Sequence, residues 1–150
     1  MSKKKVLVTG LNGVVGTALK SEFQKKYELS SFSRFGCDGI PDERNHKGNL
    51  KDYDSVLKAF KNQDVIVHLA ADRSMKAEWE TVLPYNIIGV QNVFEAAKIA
   101  GVKRVVFGSS QHAVGGNYLD EPYRSILSAD FSKVERPYKR IDENTPIRPS

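Results

Sequence analysis

The sequence predicts an α/β fold, a doubly wound parallel sheet of about five strands with helices on both faces. Three observations carry this prediction. Short apolar runs alternate with amphipathic segments from Val6 to Gly108. The runs Val6-Leu-Val-Thr9 and Val65-Ile-Val-His-Leu-Ala70 are short and apolar, as buried parallel strands are. The first run also leads straight into three glycines spaced three apart, Gly10, Gly13 and Gly16.

The elements follow in order. Val6–Thr9 is the first strand, Val14 to about Lys26 a helix, and Tyr27–Phe32 the second strand. Arg34 to Gly48 carries Gly36, Gly39 and Pro41, and reads as a loop with a short strand near its end. Lys51 to Lys61 is an amphipathic helix, with Tyr53, Val56, Leu57 and Phe60 at helical spacing. Val65–Ala70 is the strongest strand. Pro84 to Ala100 is a long helix with Ile87, Val90, Val93, Phe94 and Ala97 on one face, ended by Gly101 as a C-terminal cap. Arg104–Gly108 is the fifth strand. From Ser109 onward glycines, prolines and polar residues break the periodicity. The expected division is therefore a core at 1–110 and an irregular segment at 111–150.

The glycine turn carries chemistry. Gly10 permits a tight turn out of the strand, Gly13 lets the backbone approach a pyrophosphate, and Gly16 lets the new helix pack against the sheet. The backbone of Leu11, Asn12, Val14 and Val15 completes the cradle, where free N–H groups and the positive end of the helix dipole face a phosphate. Strand, glycines and amphipathic run come in the order that a dinucleotide site requires.

Bulk properties narrow the classes. A chain of 150 residues with 40% hydrophobic and 27% charged content can bury one ordinary globular core. No apolar run approaches the roughly 20 residues that span a bilayer. Neither a secretory signal nor a membrane partner is expected, and the location expected is cytoplasmic. The single Cys37 has no activating neighbours in sequence and suits a reducing compartment. A net charge of +5 raises nucleic acid as a partner, but the 23 basic residues are spread out and accompany no nucleic-acid module. No metal-ligand spacing occurs.

Four ordered motifs carry a resemblance over nearly the whole chain. They are Thr9-Gly10-x-x-Gly13-x-x-Gly16, His68-Leu69-Ala70-Ala71, Asn86-Ile-Ile-Gly89-x-x-Asn92-Val-Phe-Glu95-Ala96-Ala97 and Arg104-Val-Val-Phe-Gly-Ser109-Ser110. Together they resemble the extended short-chain dehydrogenase/reductase family of sugar-nucleotide epimerases, dehydratases and related dehydrogenases. Within it, Ser109-Ser110-Gln111-His112-x-x-Gly115 is most similar to the uronate dehydrogenases and other sugar oxidisers.

The resemblance implies a Rossmann-type fold and a set of site residues. Leu69, Ala70 and Ala71 lie where ribose or nicotinamide comes close to the backbone, and Ser109 closes the fifth strand beside them. Asn86 hydrogen-bonds the strand ends or the cofactor ribose, or else caps its own helix. Ser110 is the catalytic candidate, since a hydroxyl can donate to a carbonyl and accept from an alcohol. Ser110, Gln111 and His112 are the substrate-binding candidates, for a sugar or sugar acid. Asn49-Leu50 stands where family members bind adenine. NAD-preferring members place an acid at the end of the second strand. Here Ser33-Arg34 follows instead, and a guanidinium matches a 2′-phosphate. The cofactor is expected to be NADP or NAD, leaning to NADP.

The resemblance also implies a tyrosine four residues before a lysine as the general acid/base pair. None of the six tyrosines has that spacing. The ending Ile141-Asp-Glu-Asn-Thr-Pro-Ile-Arg-Pro-Ser150 resembles the loop just before the Tyr-Lys helix. The expectation is thus a sheet incomplete at its C-terminal end and a 150-residue chain without turnover. The alternatives are a non-catalytic dinucleotide-binding or redox-sensing module and a truncated remnant. An uncovered sheet edge would favour a homodimer or a mobile segment after Ser110.

Overall fold

In the computed structural model, which describes residues 2–74 and 76–149, the chain falls into two compact units, residues 1–108 and 109–150. The first unit is built on five parallel strands: β1 (Lys5–Thr9), β2 (Glu28–Ser33), β3 (Asn45–Lys47), β4 (Val65–His68) and β5 (Arg104–Phe107). Their order across the sheet is β3-β2-β1-β4-β5. The chain winds outward from β1 in one direction through β2 and β3, then resumes on the other side at β4. The carboxyl ends of β1 and β4 therefore flank a topological switch point, the place where α/β sheets bind ligands.

Alternation along β1 divides the core. Leu7 faces a cluster with Phe32, Val56, Phe60, Ile66, Val93 and Ala96 beneath α2 (Tyr53–Phe60) and the helix before β5. Val6 and Val8 face the opposite cluster with Leu11, Leu29, Cys37, Ile40 and Val67, against which Phe23 of α1 (Val14–Lys26) packs. At the amino edge the Asp64 carboxylate accepts from Lys5 N at 3.0 Å and from Lys103 Nζ at 3.2 Å, tying the starts of β1, β4 and β5 together. The Lys5 hydrogen bond, followed by that of Lys103, lowers its pKa.

One element differs from expectation. The long helix begins at Trp79 rather than Pro84, running as α3 (Trp79–Val82), a π-helical segment (Leu83–Ile88) and α4 (Gly89–Ile99). Pro84 has no N–H to give an α-helical turn, and the chain widens there instead of stopping, with Gly89 N–H donating to Pro84 O. The short strand expected near the end of the loop after β2 is present as three polar residues, held by pairing to β2 and by Asn45, whose side chain bonds Ser31 Oγ, Cys37 N and Cys37 O. Gly101 takes φ +71°, as a helix-ending glycine does. On β5, at the edge of the sheet, Val106 and Phe107 are about half exposed.

Among the described residues, the second unit contains three short 3-10 elements besides α5 (Tyr123–Leu127) and is internally bonded. Gly116 N donates to Arg148 O at 2.7 Å and Arg148 N to Ala113 O at 2.8 Å, closing residues 113–116 against 146–148. A side chain at Gly116 would meet Arg148 Cγ at 2.7 Å. Among the described residues, no helix is long and apolar enough to cross a membrane, and no cluster of acidic, histidine or cysteine side chains is suited to a metal.

Candidate dinucleotide site

The three glycines meet different demands. Gly10 has φ +71°, and a Cβ there would lie 2.9 Å from Ala70 Cα and N. A Cβ on Gly16 would lie 2.5 Å from Leu11 O and 2.6 Å from Leu11 Cα. Both are required by the protein's own backbone. Gly13 is not: its φ is −74°, and a Cβ would meet only Gly10 O, at 3.1 Å. The fold leaves that position nearly open. Gly13 is also the N-cap of α1, where no side chain caps the helix and no acidic residue stands in the first turn. Val14 and Val15 are exposed there. The first-turn amides thus face outward from the carboxyl end of β1, which is the geometry that an anion needs.

Thr9 and His68 form the floor between β1 and β4. Thr9 Oγ1 accepts from Leu69 N at 3.3 Å and Ala70 N at 3.2 Å, and lies 2.7 Å from His68 Nδ1. With its lone pairs taken, the hydroxyl proton goes to Nδ1, so the imidazole proton sits on Nε2. That nitrogen is buried and has no hydrogen-bond partner among the described residues. Burial pushes the His68 pKa down to about 4, and the ring is neutral at pH 7. Its other neighbour is Phe107, at 5.6 Å between centroids. Thr9 thereby fixes the turn that brings Ala70 against Gly10.

Several of the predicted contact residues also hold loops. Asn12 Nδ2 donates to Gly36 O at 2.7 Å, linking the glycine turn to the loop after β2. Ser33 Oγ donates to the same carbonyl at 2.9 Å, so its proton is turned into the loop. Asn49 Oδ1 accepts from Lys51 N at 3.1 Å, and Leu50 is buried in the core, its Cβ 3.0 Å from where a Gly89 Cβ would stand. Asn86 does not open its helix but lies in the π-helical segment. There its amide accepts from Asp72 N and donates to Asp72 O, both at 2.8 Å, and it holds the segment after β4. Asn92 Nδ2 donates to Leu50 O at 2.8 Å, the structural bond its position within the helix suggests.

Gly10, Leu11, Gly13, Val14, Val15, Gly16, Leu69, Ala70 and Ala71 line or adjoin the switch point between β1 and β4. Arg34 follows β2, and its guanidinium is 5.5 Å from the Phe35 ring centroid and 5.8 Å from that of Tyr85. Lys51 Nζ is 5.3 Å from the Tyr85 centroid. The sequence gives no site reading for Tyr85 and Lys51, because only the folded chain brings them to Arg34. In the second unit Ser109, Ser110, Gln111 and His112 are exposed, and Ser110 Oγ accepts from His112 N at 3.2 Å to cap a one-turn helix.

Residues 6–141 match the family model of the NAD dependent epimerase/dehydratase family. The chain belongs to that family. Among its curated relatives is the L-arabinose 1-dehydrogenase (NAD(P)(+)) of Haloferax volcanii. It is 32% identical over 134 residues, covering 87% of this chain and 50% of the relative. The uronate dehydrogenase of Pseudomonas putida is 31% identical over 148 residues, covering 97% and 48%. The crystal structure of uronate dehydrogenase from Agrobacterium tumefaciens superposes with a TM-score of 0.66 at 33% identity, covering 76% of this chain and 43% of that one. A tyrosine-to-alanine mutant of that enzyme was solved complexed with NAD. The chain thus spans about half the length of the relatives it matches.

Proposed function

We propose that the chain binds a nicotinamide dinucleotide at the switch point between β1 and β4, as the cofactor-binding part of a sugar-active oxidoreductase or epimerase. Gly13 is the observation that carries this reading. The protein itself makes little use of a missing side chain there, whereas a pyrophosphate lying on the α1 N-terminus would. The amides of Val14, Val15 and Gly16 bind the phosphates, while Gly13 N–H donates to Gly10 O at 2.9 Å and its bare Cα admits the pyrophosphate, with the backbone of Leu11 and Asn12 beside them. Leu69, Ala70 and Ala71 leave room for ribose and nicotinamide. The adenine lies toward Asn49 and Leu50, and the 2′-position toward Ser33 and Arg34, where the lack of an acid favours NADP over NAD. When bound, the nicotinamide supplies the hydride donor or acceptor.

Ser110, Gln111 and His112 are the proposed contacts for a sugar or sugar-acid hydroxyl or carbonyl, with Ser110 as the catalytic hydroxyl, and Ser109 is a proposed cofactor contact. Ser110 accounts for substrate orientation but not for the proton, for which the family resemblance implies a tyrosine and lysine pair. No tyrosine in this sequence precedes a lysine by four residues. That observation favours a second reading for the chain alone, a dinucleotide-binding module without turnover. Fluorescence titration with NADPH and NADH separates the outcomes, together with turnover assays on uronic acids and aldoses. Saturable binding without turnover is expected. No binding at millimolar cofactor overturns the dinucleotide site, and turnover above background overturns the inactive assignment.

A further inference from the structure

We infer that Lys51, held with Arg34 around the ring of Tyr85, is a second cation for the 2′-phosphate of a phosphorylated dinucleotide. This rests on the dinucleotide reading above and adds two residues to it. Arg34 follows β2 and Lys51 stands before α2, so they come from different loops, and the π-helical segment supplies the ring between them. The guanidinium lies 5.8 Å and the ammonium 5.3 Å from the one centroid.

A cation–π contact at an exposed site is worth only about 0.5–1 kcal/mol, too little to account by itself for two cations held at one ring. The usual counter-charge is a neighbouring carboxylate. Among the described residues, neither Arg34 nor Lys51 forms an ion pair, although seven other pairs are present. A 2′-phosphate would supply that counter-charge from outside the chain. Its position is set by β2, because the adenosine ribose of a dinucleotide on a parallel sheet lies at the end of that strand. Ser33 cannot serve as a donor while its proton is on Gly36 O, which leaves the two cations to hold the phosphate. Tyr85 acts as a positioning residue: the ring orients both side chains and need not touch the ligand. Its placement follows from the wide turn at Pro84, which lets Tyr85 reach Arg34 and Lys51 while the adjacent Asn86 reaches Asp72.

The test is calorimetric binding of NADPH, NADH and adenosine 2′,5′-bisphosphate to the wild-type chain and to Lys51→Gln, Arg34→Gln, Tyr85→Phe and Tyr85→Leu. Lys51→Gln is expected to weaken NADPH and the bisphosphate about tenfold, as loss of one charge-assisted contact does, and to leave NADH within about twofold. Tyr85→Phe retains the preference and Tyr85→Leu reduces it, with NADH affinity unchanged. Raising the salt concentration narrows the wild-type gap between NADPH and NADH. Lys51→Gln that weakens NADPH and NADH alike, or neither, overturns the role of Lys51 while leaving the dinucleotide site standing. A wild-type chain that binds none of the three probes overturns both.

Discussion

Alanine substitutions at Gly13 and Gly16 should separate what the glycine turn does for the fold from what it does for a ligand. At Gly16 the new Cβ would stand 2.5 Å from Leu11 O, 2.6 Å from Leu11 Cα and 2.7 Å from Gly10 O, all backbone atoms that cannot rotate away. Overpacking of this kind costs about 3 kcal/mol, and the better helix propensity of alanine returns about 1 kcal/mol. The net loss is about 2 kcal/mol, a fall in Tm of about 4–8 °C for a chain of this size. At Gly13 the sole close atom is Gly10 O at 3.1 Å, and the φ of −74° suits any residue. Stability there should change by less than about 1 kcal/mol, the ordinary difference between glycine and alanine at an N-cap. A methyl group over the pyrophosphate position should nonetheless weaken NADPH and NADH together by about tenfold or more. Thermal melts and fluorescence titrations on the two variants read both quantities. A Gly13→Ala chain that binds like wild type, or that melts as low as Gly16→Ala, would refute the division of labour.

Two further outcomes follow from the floor and wall of the site. His68 has a folded pKa of about 4 against 6.5 unfolded, so the unfolded chain binds the extra proton between those values. Its contribution is intact above pH 6.5 and is lost as pH falls toward 4, a change of about 3 kcal/mol by linkage, readable in urea melts at pH 7.5, 5.5 and 4.5. A His68→Gln chain should show a shallower acid slope, and equal slopes would count against a neutral buried imidazole. Asn86→Ala removes two bonds of 2.8 Å to Asp72, and amide exchange at residues 72–74 should quicken severalfold while β1 and β4 amides stay protected. Unchanged exchange there would mean that the segment after β4 is held by something else.

Most of the sheet is legible in the sequence because β1, β4 and β5 contain short apolar runs and the longer helices repeat at 3.6 residues. The exceptions have physical causes. Glu78-Trp-Glu-Thr81 has no apolar period, and Pro84 reads as a helix start, which hides the first turn and the π-helical segment. β3 is polar, and its strand character comes from pairing with β2 rather than from its own residues. In the site, the glycines announce themselves because their spacing is local. Ser33, Asn49 and Asn86 read as ligand contacts because polar side chains near a cradle suit that role, whereas Asn12 reads as a contact through its backbone. Their partners at Gly36, Lys51 and Asp72 depend on chain reversals that no spacing reveals. Tyr85 and Lys51 stay silent for the same reason, since their meeting with Arg34 is wholly tertiary.

The location of the cradle is the central claim, and amide chemical-shift mapping of the 16.8 kDa chain during an NADPH titration tests it most directly. Saturable shifts should gather at residues 10–16 and 69–71, at the carboxyl ends of β1 and β4, and extend to Arg34 and Lys51. Shifts confined to the amino edge of the sheet near Lys5 and Asp64, or none at saturating cofactor, would contradict it.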